Sequence, residues 1–131
     1  MQTIEKITKE ELQAIADNSV TKMQHKELAN GRWAEMSFLN QMGNIGSEVS
    51  RTLNWKKKGN EERSNSAFER TLELMDLTIQ NHKEYAVLRE LCRMRDCFCE
   101  SYLNNDIDDL EKINKYFFFF GLAYSMQNRN K

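Results

Sequence analysis

One arginine occupies a position where its helix is otherwise apolar. At about 100° per residue, Arg95 falls on the apolar stripe of a helix predicted over 83–103. A buried guanidinium needs a carboxylate or a bound anion, because an unpaired buried charge is strongly destabilising. Asp76 and Glu48 each lie beside the apolar stripe of another predicted helix. We therefore expect Arg95 to join a buried ion-pair network that fixes the register of the helices.

The same charges could instead form a site for a nucleotide or a phosphate, with arginines for the anion and carboxylates for Mg²⁺. The candidate residues of this alternative are Arg51, Arg93, Arg95, Glu48, Glu73 and Asp76. The all-α nucleotide pyrophosphohydrolases that bind Mg²⁺ in this way also need a Glu-Glu-x-x-Asp/Glu run on a partner helix. Neither Glu-Glu pair, at 10–11 and at 61–62, has the third acid. The sequence therefore favours ion-paired carboxylates and predicts no metal site.

The signatures of two other helical enzyme classes are incomplete. Di-iron carboxylate bundles need Glu-x-x-His, and neither His25 nor His82 has an acid three residues before it. Helical RNases of the HEPN type carry Arg-x(4–6)-His, which neither histidine completes. An inactive HEPN-like partner of a nucleotidyltransferase, or an RNA-associated module, stays open on size and helicity alone. We therefore expect no catalytic residue and no cofactor.

Three cysteines, Cys92, Cys97 and Cys99, lie on the same predicted helix. Residues seven positions apart on a helix are roughly 10 Å apart along its axis, which is too far for a disulfide. With no histidine nearby in the sequence to complete a metal site, the thiols are expected to be free and to pack among apolar neighbours. Free thiols are typical of a reducing cytoplasm.

Charge and hydropathy exclude several kinds of partner. The net charge is −1, so no overall field attracts nucleic acid or an anionic membrane. Lys56, Lys57 and Lys58 form a basic patch beside Trp55, but basic residues are favoured at a helix C-terminus by the helix dipole alone. No apolar run approaches the roughly 18 residues of a membrane span, and the first residues do not resemble a signal peptide. We expect a cytoplasmic protein that binds no membrane, and the charge pattern does not favour nucleic-acid binding.

These side chains must be positioned by helices. The 131 residues contain no proline and five glycines, which favours long helices in one domain over 1–131. Apolar spacing predicts an all-α, four- to five-helix up-and-down bundle, with an N-terminal helical segment over 1–30 and a main bundle over 32–127. The predicted helices cover 8–29, 32–58, about 60–81, 83–103 and a last stretch after 104–106. Gly43 and Gly46 fall inside a helix, where they should permit the close approach of a neighbouring helix.

Apolar residues occupy more helix faces than one small core needs. The extra residues are Leu74 and Leu77 on one predicted helix and Phe118, Phe119, Leu122 and Met126 on another. Large apolar surfaces are rarely left in water, so either the helix over 8–29 covers them or a second subunit does. We expect a homodimer or a higher homo-oligomer that uses these residues as its interface.

Four blocks of the sequence resemble a family of small, all-helical prokaryotic proteins of about this length. The blocks are NIGSEVSR at 44–51, RTLELMDLT at 70–78, RELCRMRD at 89–96 and YFFFF at 116–120. The resemblance covers roughly residues 33–124, and it departs from the family at Asp96, where glutamate is usual. It implies a helical fold and a cytoplasmic location, and it implies no activity. Taken together, the sequence favours a non-enzymatic, oligomeric interaction or regulatory module, with the nucleotide-handling and HEPN-like interpretations as alternatives.

Overall fold

Four long helices form the part of the chain that the computed structural model describes, residues 31–129. A 3-10 turn over Trp33–Glu35 precedes them. The helices are α1 (Phe38–Lys57), α2 (Glu61–Asn81), α3 (Tyr85–Leu103) and α4 (Ile107–Arg129). The predicted helix over 8–29 lies outside the described residues. The all-α bundle expected from the sequence is confirmed.

Short polar side chains set where the helices begin. Ser37 and Asn60 cap α1 and α2, because their side-chain oxygens accept hydrogen bonds from Asn40 N at 3.2 Å and Arg63 N at 3.1 Å. The cap at Ser37 corrects the prediction that the helix over 32–58 starts at Arg32. Ser37 has an extended backbone, so the residues before it form the separate 3-10 turn.

The helices run alternately up and down around a shared core. Hydrogen bonds join Ser50 of α1 to Asn114 of α4, and Thr52 of α1 to Thr71 of α2. The other two seams are joined by ion-paired or hydrogen-bonded side chains that are described with the candidate site. Each neighbouring pair of helices is antiparallel, which short connections favour. The N-terminal end of α1 therefore lies beside the C-terminal half of α4.

Glycines let α1 and α4 approach closely, as expected for Gly43 and Gly46. A Cβ atom added at Gly43 would lie 3.3 Å from the Cα of Gly121, and one added at Gly46 would lie 3.0 Å from the Cβ of Phe117. Two backbones at this separation leave no room for larger side chains between them. All three glycines that lie within the four long helices, Gly43, Gly46 and Gly121, are on this seam between α1 and α4.

The 3-10 turn is anchored by one buried tryptophan. Trp33 is almost inaccessible to solvent, and its indole N–H donates to Thr78 Oγ1 on α2 at 2.9 Å. Gln41 donates to the backbone oxygen of Trp33 at 2.8 Å, and its own oxygen lies 3.0 Å from His82 Nε2. The chain that leads into α1 is thus fixed at the end of the bundle where α2 ends.

The core corrects part of the predicted oligomer interface. Leu74 and Leu77 are both buried and belong to the hydrophobic core of this one chain. Thr71 and Thr78 mark the side of α2 that meets α1 and the 3-10 turn before it, and Leu74 falls between them on that side. The two apolar faces of α2 arise because α2 packs against α1 and also against α3. These two leucines therefore present no surface to a second subunit.

Candidate functional site

Arg95 forms a two-pronged ion pair with Asp76 across the seam between α3 and α2. Its Nε donates to Asp76 Oδ1 at 2.8 Å, and its Nη2 donates to Oδ2 at 3.4 Å. The side chains of Arg95 and Asp76 keep only 16% and 14% of their accessible surface. Burial by itself lowers the pKa of Arg95, but the charge of Asp76 and its hydrogen bond outweigh burial and raise the pKa above its usual value. Arg95 is therefore charged, and Asp76 balances it.

Glu48 lies in a different group of charges, on the seam between α1 and α2. Its Oε1 accepts from Arg51 Nη1 at 2.6 Å, and its Oε2 accepts from Arg70 Nε at 3.2 Å. Arg70 was not among the predicted site residues, although its place in the RTLELMDLT block could have drawn attention to it. Of the two acids expected near Arg95, Asp76 pairs with it, whereas Glu48 lies in a separate ion-paired group.

Arg93 belongs to a third group, which joins α3 to α4. It makes a forked pair with Glu90 at 2.7 and 3.1 Å, and Tyr116 of α4 donates its hydroxyl to Glu90 Oε1 at 3.0 Å. The hydrogen bond from Arg93 lowers the pKa of Glu90, with a further contribution from Tyr116. Burial and the hydrogen bond to Glu90 raise the pKa of Tyr116 to about 12. This group holds α3 against α4; Arg93 was among the predicted site residues, whereas Glu90 and Tyr116 were not.

The three candidate arginines therefore do not converge on one anion pocket. Arg51, Arg93 and Arg95 each face a carboxylate on a separate part of the bundle. Glu73, the remaining predicted acid, is half-buried on α2. No group of three or more metal-ligating side chains occurs between residues 31 and 129. Charges that are already paired within the protein suit a structural role, in which they hold helices in register, better than a role in ligand binding.

The cysteines are free and half-buried on α3. Burial raises the pKa of the Cys92 and Cys99 thiols, and the nearby Arg95 charge offsets this only in part. A raised pKa lowers the thiolate fraction at neutral pH, which makes these two sulfurs poor nucleophiles. Their surroundings match the expected packing role.

The basic patch at the end of α1 is engaged by neighbouring side chains. Lys56 donates to the backbone oxygen of Tyr102 at 3.0 Å and lies 3.8 Å from the centre of its ring. Lys57 pairs with Glu111, and Lys58 lies over the ring of Trp55 at 5.0 Å. A concavity of about 400 Å³ beside Lys56 is lined mainly by polar side chains that bond to one another. These contacts explain the three lysines by their packing at the end of α1, without a nucleic-acid ligand.

The outer face of α4 is the clearest feature that the fold leaves unexplained. Phe118 is 62% exposed, Phe119 56%, Leu122 44% and Met126 56%. All four predicted interface residues of α4 thus lie on the surface, spaced as one helical stripe. An aromatic side chain has about 150–250 Å² of surface, so the two phenylalanines alone expose on the order of 200 Å². Apolar patches of a few hundred Å² on monomers are often functional.

A groove runs alongside this stripe, between α4 and α1. It has a volume of about 330 Å³, and small residues form most of its lining: Gly43, Gly46, Ser47, Ser50, Gly121 and Ser125. Phe118 and Leu122 form its apolar edge. The groove exists because the glycines that allow close helix contact leave no side chains to fill the outer side of the seam. Gly121 was not among the residues predicted for this seam. Like Gly43, it is a glycine within a helix, and that is its signal in the sequence.

The stretches of α1 and α4 beside this groove contain none of the side chains that carry a charge near neutral pH. Neither 36–47 nor 116–128 contains Asp, Glu, Lys, Arg or His, although 30% of the whole chain is Asp, Glu, Lys or Arg. The antiparallel packing of α1 and α4 places these two stretches side by side. Depletion of charge at the centre of a patch is the compositional mark of a protein interface. We refer to the exposed stripe of α4 together with the groove as the α4 face.

Comparison with known proteins gives no further guide to the function. The chain matches no protein-family model, no curated protein and no solved structure. No helix within residues 31–129 has both the length and the apolarity needed to cross a membrane.

Proposed function

We propose that this protein is a non-enzymatic interaction module that acts by self-association, with a second copy of the chain bound to the α4 face. The observation that carries the proposal is the exposed stripe of Phe118, Phe119, Leu122 and Met126. Its four side chains expose a few hundred Å² on each copy, which is about half of the roughly 800 Å² per partner in a standard interface. The adjoining uncharged surface supplies area for the remainder.

The charge distribution favours a second copy over an unrelated partner. Interfaces between different proteins commonly match a positive patch with a negative one, which steers the correct pair together. The stretches 36–47 and 116–128 offer no charge for such matching. For the same reason, two identical α4 faces can meet without placing like charges in contact.

The internal charges support a role without catalysis. Arg51, Arg93 and Arg95 each have a carboxylate partner, and the thiols of Cys92 and Cys99 have raised pKa values. The nucleotide-handling alternative would need at least two of these arginines to face one ligand. Three free cysteines also agree with the proposal of a cytoplasmic location.

Sedimentation equilibrium of the full chain at micromolar concentrations tests the proposal. We expect a mass of twice 15.5 kDa for the wild type. Phe118→Asp should restore the monomer, because it would bury a carboxylate in the interface. Tyr85→Asp is the matched control, since Tyr85 is a 77% exposed aromatic residue on α3 and does not line the groove. A wild type that stays monomeric at the highest soluble concentration would refute self-association.

A further inference from the structure

The α4 face carries a protruding ring and a recess side by side. Phe118 stands at the edge of the groove with 62% of its surface exposed. The floor of the groove is the close contact of Gly43 with Gly121, where backbone atoms replace side chains. A surface with a projection next to a matching recess can pair with its own copy about a two-fold axis, because each contact is then made twice.

We infer that two copies pair in this way, with Phe118 of each copy inserted into the α1–α4 groove of the other. This inference rests on the proposed self-association and adds to it the mode of contact. The groove volume of about 330 Å³ equals roughly ten water molecules at ~30 Å³ each, which is ample for one phenyl ring. Insertion would bury the ring that the isolated bundle leaves in water.

The polarity of the groove agrees with an aromatic occupant. Ser47 and Ser125 line it, and Ser47 turns its hydroxyl toward the backbone oxygen of Gly43 at 3.3 Å, within its own helix. Its polar group is thus engaged locally and does not require a partner from a ligand. The remaining lining consists mainly of glycine backbone and the rings of Phe117 and Phe118. An aromatic ring can therefore lie against Ser47 without leaving the Ser47 hydroxyl unpaired.

A charge placed in the groove separates this contact mode from self-association in general. Ser47→Glu puts a carboxylate where the partner's ring would lie. Asn54→Glu is the matched control, because Asn54 is exposed on the same helix but does not line the groove. Each new glutamate also gains a basic residue four positions later, Arg51 or Lys58, so both variants should keep the helix stable.

The dissociation constant of the dimer is the readout, measured by sedimentation on the full chain. Ser47→Glu should raise it at least tenfold, while Asn54→Glu should change it less than threefold. In a mixture of ¹³C-labelled and unlabelled chains, isotope-filtered NMR should show contacts between the Phe118 ring and the Hα protons of Gly43 or Gly121 of the other copy. A wild-type dimer that Ser47→Glu leaves intact would overturn the insertion and leave self-association standing. A monomeric wild type would overturn both.

Discussion

The Arg95–Asp76 pair provides a quantitative test of how this bundle keeps its helices in register. Removing one partner of a fully buried pair costs about 3–5 kcal/mol, because the other charge is left buried and unpaired. Arg95 and Asp76 retain 16% and 14% exposure, so water can relieve part of that penalty. We therefore expect Asp76→Leu and Arg95→Met each to lower the free energy of unfolding by about 3 kcal/mol, the low end of this range.

The double variant should be much less damaging than the sum of the two single changes. With both charges removed, no unpaired ion remains, and replacing a buried pair by apolar side chains is often neutral or better. A double-mutant cycle of Asp76→Leu and Arg95→Met should thus give a coupling energy of at least about 2 kcal/mol. Arg95→Lys is a further control. It keeps the charge but cannot donate two parallel hydrogen bonds, so its effect should be intermediate.

Urea unfolding followed by circular dichroism measures these differences. At a slope of about 2 kcal/mol per M, a loss of 3 kcal/mol moves the midpoint by about 1.5 M, well outside the error of the method. If each single variant costs less than about 1 kcal/mol, or if the two effects simply add, the pair behaves as a screened surface contact. Either result would refute the assignment of Arg95 as a buried charge that fixes the register of α2 and α3.

Two other seams of the bundle give independent predictions. Gly46→Ala should destabilise the fold by about 1–2 kcal/mol in urea unfolding, because the new Cβ would lie 3.0 Å from the Cβ of Phe117. This overpacking outweighs the better helix propensity of alanine. An unchanged or higher unfolding midpoint would contradict this packing. Tyr116 should titrate at about pH 12, seen as the absorbance difference at 295 nm between wild type and Tyr116→Phe. Because its pKa is raised on folding, its contribution to stability is complete below about pH 10 and is lost as pH rises toward 12, so Tyr116→Phe should show a shallower alkaline decline. A difference signal centred near pH 10 would rule out the hydrogen bond to Glu90.

Helix boundaries show how far local sequence can be trusted in this chain. The start of α2 agrees with the helix predicted from about residue 60, because the Asn60 side chain satisfies a free backbone N–H of the next turn without help from distant residues. The predicted start of α1 at Arg32 was wrong, because the extended backbone of Ser37 separates the residues before it from the helix. The separate 3-10 turn there is held by Thr78, forty-five residues away. Such a long-range hydrogen bond leaves no trace in a window of neighbouring residues.

In the candidate site, too, local sequence predicted some features and long-range contacts decided the others. The position of Arg95 on an apolar stripe required a carboxylate or a bound anion, since a buried charge must be balanced whatever the topology. Whether the partner was Asp76, Glu48 or an anion depended on which helix faces α3, and this is a property of the assembled bundle. Arg70 and Tyr116 were missed for the same reason, because each meets its carboxylate partner on another helix.

The sequence by itself determined the all-α class and which apolar residues share one face of a helix, because helical periodicity and capping are local. Only the tertiary structure decided which stripes are covered. Leu74 is enclosed because α2 meets α1, whereas Phe118 stays exposed because no described helix packs on the outer side of α4. The two residues have similar apolar character, and periodicity treats them alike. The difference between core and surface is made by the neighbours that folding brings together, since burial depends on contacts across the whole chain.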